Sequence, residues 1–303
     1  MTGSPALRTS PAGPSGPATG NAVVYWYATA ARDLPWRRPG VDAWAVLVSE
    51  VMLQQTPVAR VEPVWREWLN RWPTPADLAS ASPAEVIRAW GKLGYPRRAL
   101  RLREAAIAVV ERHGGVVPDD VAALEALPGI GTYTARAVAC FGYGQAQPVV
   151  DTNVRRVVAR VLHGRAEAGT AKAADLADVL ALTPADPERA VRFSVAAMEL
   201  GALVCVAGTP RCGVCPVRES CAWRLAGYPP ADGPPRRVQK FAGTDRQVRG
   251  RLLDVLRAAH HPVTAAELDE AWDDAVQRSR CLDSLLADGL VEQTAEGLFR
   301  LPA

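Results

Sequence analysis

Hydrophobic side chains recur along most of the chain at the three- and four-residue spacing that one face of an α-helix requires. The predicted helices cover 22–31, 42–55, 61–71, 75–81, 83–93, 97–113, 120–126, 133–141, 153–162, 172–181 and 187–204. Before residue 290, no two neighbouring segments show the polar and apolar alternation of a β-hairpin. The main body is therefore predicted to be all-α.

The end of the chain follows a different order. Thr264 and Glu267 have the spacing of a capping box at the start of a helix, and a second helix is predicted over 275–287. A short hairpin is predicted over 290–301. Because this order resembles a winged helix, we expect a small winged-helix-like module over 245–303.

Two segments have the composition of unstructured chain. Residues 1–20 are mainly Pro, Gly, Ser, Thr and Ala, without the apolar stretch of a signal peptide, and are expected to be a disordered tail. Residues 228–244 are expected to be a linker, Pro-rich over 228–235 and basic over 236–240. No apolar run approaches the ~18 residues of a membrane span, so we expect a cytoplasmic protein that binds no membrane.

The net charge of +3 is unevenly distributed. Residues 245–303 carry a net −4, so residues 1–244 carry +7 and are expected to hold the basic surface that a polyanion would need. Of the 35 basic residues, only Lys92, Lys172 and Lys240 are lysines. The arginines form two clusters within predicted helices, at Arg97, Arg98, Arg101 and Arg103 and at Arg155, Arg156 and Arg160. Solvated helix faces are the alternative interpretation of both clusters.

A short loop, Leu-Pro-Gly-Ile-Gly at 127–131, separates two of the predicted helices. A Pro and two Gly end the first helix and the second begins at once, which indicates a helix-hairpin-helix. The glycines let bare backbone N–H groups, at the positive end of a helix dipole, approach a phosphate. We therefore predict that Gly129, Gly131 and Thr132 contact the phosphate backbone of DNA. The alternative is a plain helix–helix corner.

Glu50 lies in an almost wholly apolar predicted helix. Its neighbours three and four residues away are Val46, Leu47, Leu53 and Gln54. A carboxylate on such a face should be desolvated, which raises its pKa and suits it to act as a general acid.

Asp151 directly precedes a predicted helix and is a natural N-cap. Backbone N–H groups that donate to a capping carboxylate favour its ionised form, so we expect a low pKa. A protonated Glu beside an ionised Asp is an arrangement that cleaves glycosidic bonds through an oxocarbenium-like transition state.

Four cysteines fall within seventeen residues, at Cys205, Cys212, Cys215 and Cys221. In a cytoplasmic protein this density indicates a metal rather than disulfides, and the spacing is compatible with either zinc or an iron-sulfur cluster. Cys140 and Cys281 are expected to be buried thiols.

The hairpin, the acid twenty residues after it and the C-x6-C-x2-C-x5-C spacing together resemble the endonuclease III superfamily of DNA glycosylases. Within that superfamily, Ser-Glu-Val-Met-Leu-Gln-Gln-Thr at 49–56 resembles the signature of the MutY-type adenine DNA glycosylases. The resemblance covers about residues 22–225. It implies a 4Fe-4S cluster on the four cysteines, action on double-stranded DNA that contains an adenine mispair, and a monomeric, nucleoid-associated protein.

The resemblance also implies roles for individual residues. Glu50 matches the general acid, Asp151 the carboxylate that stabilises the oxocarbenium ion, and Asn153 the asparagine of the same motif. Tyr133 matches the position at which endonuclease III has its catalytic lysine. The residues that match the adenine pocket are Arg32, Trp36, Leu53 and Glu199, and those that match the wedge into the duplex are Gln54 and Tyr95.

The implied fold has two lobes with a DNA cleft between them. Residues 35–145 would form a six-helix barrel lobe with the hairpin, and residues 21–34 and 146–227 would form the iron-sulfur cluster lobe. Many MutY-type enzymes continue into a Nudix-like domain that reads 8-oxoguanine, for which this chain has too few residues. The preference for 8-oxoguanine or guanine opposite adenine therefore stays open.

Two alternative functions are compatible with parts of the sequence. A bifunctional endonuclease III-like glycosylase and lyase for oxidised pyrimidines needs a lysine amine, and none of the three lysines lies near the hairpin. A non-catalytic, iron-sulfur DNA-binding regulator would not require Glu50 in an apolar helix.

The winged-helix-like module offers Arg278 and Arg280 as possible groove contacts. Four acids lie just upstream of them, at Asp269, Glu270, Asp273 and Asp274. We expect the repulsion to dominate. The module is therefore expected to pack on the cluster lobe or to dock a repair-protein partner, and to contribute little DNA affinity.

Overall fold

The structure, a computed structural model, describes residues 16–231 and 241–303. Apart from one short hairpin, these residues form helices and loops, which confirms the all-α prediction. The helices are α1 Pro17–Ala30, α2 Ala43–Leu53, α3 Val58–Arg71, α4 Pro75–Ser80, α5 Pro83–Trp90, α6 Arg97–His113, α7 Val121–Glu125, α8 Thr132–Tyr143, α9 Thr152–Val161, α10 Ala174–Leu182, α11 Pro187–Leu203, α12 Ala222–Leu225, α13 Asp245–Ala258, α14 Ala265–Asp269 and α15 Ala275–Ala287.

The structure differs from the predicted elements at two places. The disordered tail predicted over residues 1–20 extends too far, because α1 begins at Pro17, a residue whose fixed φ suits the first turn of a helix. Residues 1–15 and the basic patch at 236–240 lie outside the described residues. The helix α13 was missed, and its buried side chains are Val248, Leu252, Leu253 and Leu256.

The chain divides into two compact units. The first unit comprises residues 1–34 and 139–234, with α1 and α9 to α12 among its described parts. Its core lies between α9 and α11, around Val154, Phe193 and Leu200, and three of the cysteines pack against this core.

The second unit comprises residues 35–138 and 235–303. Its core is rich in tryptophan, and α2 is buried along nearly its whole length. The indole N–H groups of Trp44, Trp65 and Trp68 donate to backbone carbonyls at 2.9 to 3.1 Å. Because each indole N–H has a partner, these large side chains can be buried without an unsatisfied donor.

The C-terminal module contains α13 to α15 and a hairpin of β1 Glu292–Gln293 and β2 Phe299–Arg300. Its core includes Ile87 of α5, which is fully buried. Arg257 donates to the carbonyl of Ile87 at 3.2 Å, and Asp288 accepts from Arg97 of α6 at 3.1 Å. The module therefore packs on α5 and α6 of the second unit, and the expectation that it packs on the cluster lobe was wrong.

Among residues 16–231 and 241–303, every helix is too short or too polar to cross a bilayer.

Candidate functional site

Glu50 lies in α2, which begins at the N-cap Asp42, whose side chain accepts from the N–H of Ala45 at 2.8 Å. The Glu50 residue is 5% exposed, which confirms the predicted burial. Tyr133, in the first turn of α8, donates its hydroxyl to Oε2 of Glu50 at 2.9 Å. The start of the hairpin's second helix thus holds a buried carboxyl in one orientation.

Asp151 is the N-cap of α9, as predicted, and accepts from the N–H of Val154 at 2.7 Å and from Nδ2 of Asn153 at 2.8 Å. Its expected low pKa was wrong. Burial raises the pKa of the carboxyl, although these two hydrogen bonds and the charge of Arg156 oppose the shift. The folded carboxyl therefore binds its proton more tightly than the unfolded one. Its contribution to the free energy of unfolding falls as the pH rises from the unfolded pKa through the raised folded pKa.

Arg156 connects the Asp151 site to the cysteine loop. Its guanidinium donates to Oδ1 of Asn153 at 2.8 Å, to the carbonyl of Gly201 at 2.7 Å and to the carbonyl of Cys205 at 2.7 Å. A Cβ on Gly201 would stand 2.7 Å from Cβ of Asn153, so α11 can approach α9 this closely only with glycine there. Neither Gly201 nor this role of Arg156 was predicted from the sequence, because both depend on how α11 packs against α9.

The side chain of Arg160 also contacts the loop that carries Cys205. It is 3% exposed, donates to the carbonyl of Val206 at 2.8 Å and lies over the ring of Trp223 at 4.6 Å. Arg155 pairs with Asp175 at 2.6 Å. The expected basic surface at these arginines is therefore wrong, because their side chains satisfy loop carbonyls and a carboxylate.

Two residues matched to the adenine pocket form a buried ion pair in the first unit. Arg32 donates to Glu199 from its backbone N–H at 3.0 Å and from two guanidinium nitrogens at 2.7 Å each. The Glu199 residue is fully buried, and the hydrogen bonds that its carboxylate accepts from Arg32 raise the pKa of the Arg32 guanidinium. The other two belong to the second unit, where Trp36 packs edge-on against Trp65 at 5.7 Å and Leu53 ends α2.

Arg98 holds the two loops that carry the wedge residues. Its guanidinium donates to the carbonyl of Gln54 at 2.7 Å and to the carbonyl of Gly94, next to Tyr95, at 3.0 Å. Gln55 and Tyr95 have φ values of 55° and 49°, a conformation that costs an L-residue energy and persists only where the surroundings impose it. Burial lowers the pKa of Arg98 to about 10, so it stays charged at neutral pH.

The predicted hairpin lies between α7 and α8. Gly129 has a φ of 75°, and a Cβ there would stand 2.8 Å from Cβ of Arg101. Gly131 is different, because a Cβ there would meet no atom within 4 Å. Both Gly131 and Thr132 are exposed at the N-terminus of α8, where their backbone can be approached from outside.

Four cysteines line one small cavity of the first unit, together with Val157, Leu200 and Trp223. Burial raises the pKa of the Cys215 thiol to about 11, and the charges of the other three thiols act in the same direction. Four thiols so close can ionise together only beside strong positive charge, which a metal centre supplies. Within the described ranges, no group of three or more His, Cys, Asp or Glu side chains has the geometry of a metal-ion site.

Cys140 and Cys281 are buried thiols, as predicted.

Comparison with known proteins places this geometry in a family context. Residues 48–179 match the model of the HhH-GPD superfamily of base excision DNA repair proteins. The adenine DNA glycosylase of Mycobacterium tuberculosis is 64% identical over 282 residues, which cover 92% of both chains. The adenine DNA glycosylase of Homo sapiens is 46% identical over 211 residues, or 67% of this chain and 39% of the human protein.

Solved structures agree on the fold. A thermostable thymine-DNA glycosylase superposes with a TM-score of 0.63 and 26% identity, over 69% of this chain and 96% of that one. A non-covalent complex of endonuclease III with DNA superposes with a TM-score of 0.59 and 22% identity, over 69% and 95%.

The two hairpin glycines should respond differently to alanine. Gly129→Ala should destabilise the protein by more than the roughly 1–2 kcal/mol that left-handed backbone costs an L-residue, because its Cβ also meets Arg101. Gly131→Ala should change the free energy of unfolding by no more than roughly 0.5 kcal/mol, since its Cβ points into open space. Chemical denaturation of both variants measures this, and equal losses would contradict it.

Proposed function

The chain belongs to the HhH-GPD superfamily of base excision DNA repair proteins, and we propose that it is a monofunctional DNA glycosylase that excises adenine mispaired with 8-oxoguanine or guanine. The observation that carries the proposal is the buried Glu50 carboxyl under the Tyr133 hydroxyl. The 64% identity to an adenine DNA glycosylase supports adenine as the excised base.

The proposed reaction begins with extrusion of the target deoxyadenosine, because its reacting atoms cannot be reached inside the base stack. Glu50 gives a proton to N7 of adenine, so that the base can leave as a neutral molecule. The bond between C1′ and N9 then breaks, and its electron pair stays with the base. Asp151, in its ionised form, stabilises the cationic sugar, and water adds to C1′ and loses a proton.

Lyase chemistry has little support in these contacts. A Schiff base requires an amine. At the position that matches the catalytic lysine of endonuclease III, this chain has Tyr133, whose phenol donates to Glu50. Among the described lysines, Lys92 pairs with Asp254 at 3.7 Å and Lys172 lies in the loop before α10. We therefore favour hydrolysis of the glycosidic bond without strand cleavage.

The four cysteines fit a 4Fe-4S cluster, which would take one thiolate per iron and act structurally. A single zinc ion would draw all four sulfurs to about 2.3 Å from one point. The cysteines share one small cavity, and the iron and sulfide content of the native protein distinguishes the two centres. Arg156 donates both to the carbonyl of Cys205 and to Asn153, which in turn donates to Asp151. Cysteines held by a cluster would therefore also fix the contacts that orient Asp151.

We expect the protein to act as a monomer on double-stranded DNA in the cytoplasm, associated with the nucleoid.

Glu50→Gln should lower single-turnover excision of adenine by about 10²- to 10⁴-fold, because an amide cannot protonate N7, while duplex affinity changes little. Tyr133→Phe should lower it by about tenfold, since one hydrogen bond to Glu50 is lost. Tyr25→Phe, at an exposed tyrosine, is the matched control. Near-normal excision by Glu50→Gln would refute the assignment.

The acid limb of the pH–rate profile should report Asp151. Excision requires the ionised form, so the rate should fall as the pH drops through a pKa above the ordinary Asp value of about 3.9. Asn153→Ala removes a hydrogen bond that favours ionisation and should move this limb to higher pH. Asn70→Ala, at an exposed asparagine of α3, should leave it unchanged. A limb that stays in place in Asn153→Ala would contradict the role of this contact.

Protein purified without oxygen should contain about four irons and about four sulfides per chain. Cys212→Ser should lose most of this iron and much of the soluble fold, whereas Cys281→Ser should keep the full iron content. Stoichiometric zinc in the native protein would overturn the cluster and leave the glycosylase proposal standing.

A further inference from the structure

A large basic groove lies within the second unit, between α13 of the C-terminal module and the loops assigned to DNA. Its volume is about 1080 Å³. One wall is α13, and the opposite wall includes Tyr95 and the hairpin residues 128–130. Nine Arg and Lys side chains line it against only two aspartates, Asp254 and Asp288. The groove is therefore strongly positive.

The two aspartates are shared among several of these cations. Asp288 accepts from both Arg97 and Arg249, and Asp254 pairs with both Lys92 and Arg257. Both acids are thus already occupied, and of the remaining cations Arg101 pairs with Glu104, which does not line the groove, at 2.7 Å.

Two arginines of α13 carry this excess. Arg251 is exposed, and Arg246 is exposed and lies over the ring of Tyr95 at 4.4 Å, with a hydrogen bond of 3.2 Å to its hydroxyl. Within residues 16–231 and 241–303, neither guanidinium has a carboxylate within ion-pair distance. Arg246 thereby places a module cation directly on a residue matched to the duplex wedge.

In a winged helix, the helix that contacts DNA would correspond to α15, and the arginines of α15 are already paired with carboxylates. Arg278 of α15 pairs with Asp269 at 2.7 Å, and Arg280 pairs with Asp245 at 2.7 Å. The cations available for a polyanion lie instead on α13, where the module faces the groove.

We propose that α13 binds the sugar–phosphate backbone of the duplex through Arg246 and Arg251, so that the C-terminal module is part of the DNA-binding surface. The inference rests on the proposed action on DNA. A nucleic acid is favoured over an acidic protein because the groove is continuous with the exposed hairpin glycine Gly129 and with Tyr95. It replaces the expectation that the module adds little affinity.

The test is the salt dependence of binding of the full-length holoprotein to an undamaged duplex, followed by fluorescence anisotropy. The slope of log Kobs against log salt is negative, and each phosphate contact adds about 0.9 to its magnitude. Arg251→Gln and Arg246→Gln should each reduce that magnitude by about one, and the double variant by about two, with a clear loss of affinity near 0.15 M salt. Arg246→Lys, which keeps the charge, should keep the slope.

Arg300→Gln is the matched control, because it removes the same charge from the module outside the groove and should leave the slope unchanged. An unchanged slope in the double variant, or an equal loss in Arg300→Gln, would overturn the proposal and leave the groove to a ligand other than DNA. Thermal unfolding of each variant checks that the module still folds. Since no base is excised from this duplex, a failure of the adenine proposal would leave the result interpretable.

Discussion

One guanidinium, that of Arg98, holds together the backbone on which the second unit's functional residues lie. The last carbonyls of a helix have no partner within it, and Arg98 donates to those of Val51 and Met52 at the end of α2. Hydrogen bonds to a charged donor contribute roughly 1.5–3 kcal/mol each. The same group reaches the carbonyls of Gln54 and Gly94, so the Glu50 helix and both wedge loops share one anchor.

A similar arrangement occurs in the first unit. There Arg156 and Arg160 satisfy carbonyls of the loop that carries Cys205, and Arg156 also orients Asn153 beside Asp151. A guanidinium offers five donors in a rigid plane, whereas a lysine ammonium offers three. Arginine therefore suits these positions better than lysine would. Arg98, Arg156 and Arg160 each support irregular backbone near the candidate site.

The distribution of charge takes on a different meaning once the fold is known. The module has a net negative charge, yet its acids are largely used in local pairs such as Asp245 with Arg280 and Asp269 with Arg278. Its exposed cations Arg246 and Arg251 lie on α13 and line the groove, and Arg246 stacks on Tyr95. A net charge therefore says little about a surface until the ion pairs within it are known.

By itself the sequence determined most helices, the N-cap Asp151, the position of Glu50 on a buried helix and the group of four cysteines, because each depends on residues close together in the chain. Tertiary structure alone decided that Tyr133 meets Glu50 across 83 residues and that the module packs on α5. It also decided the direction of the Asp151 pKa, which was predicted wrongly from the cap alone. The reason is that desolvation sums over every element packed around a group, whereas a cap involves only its own helix.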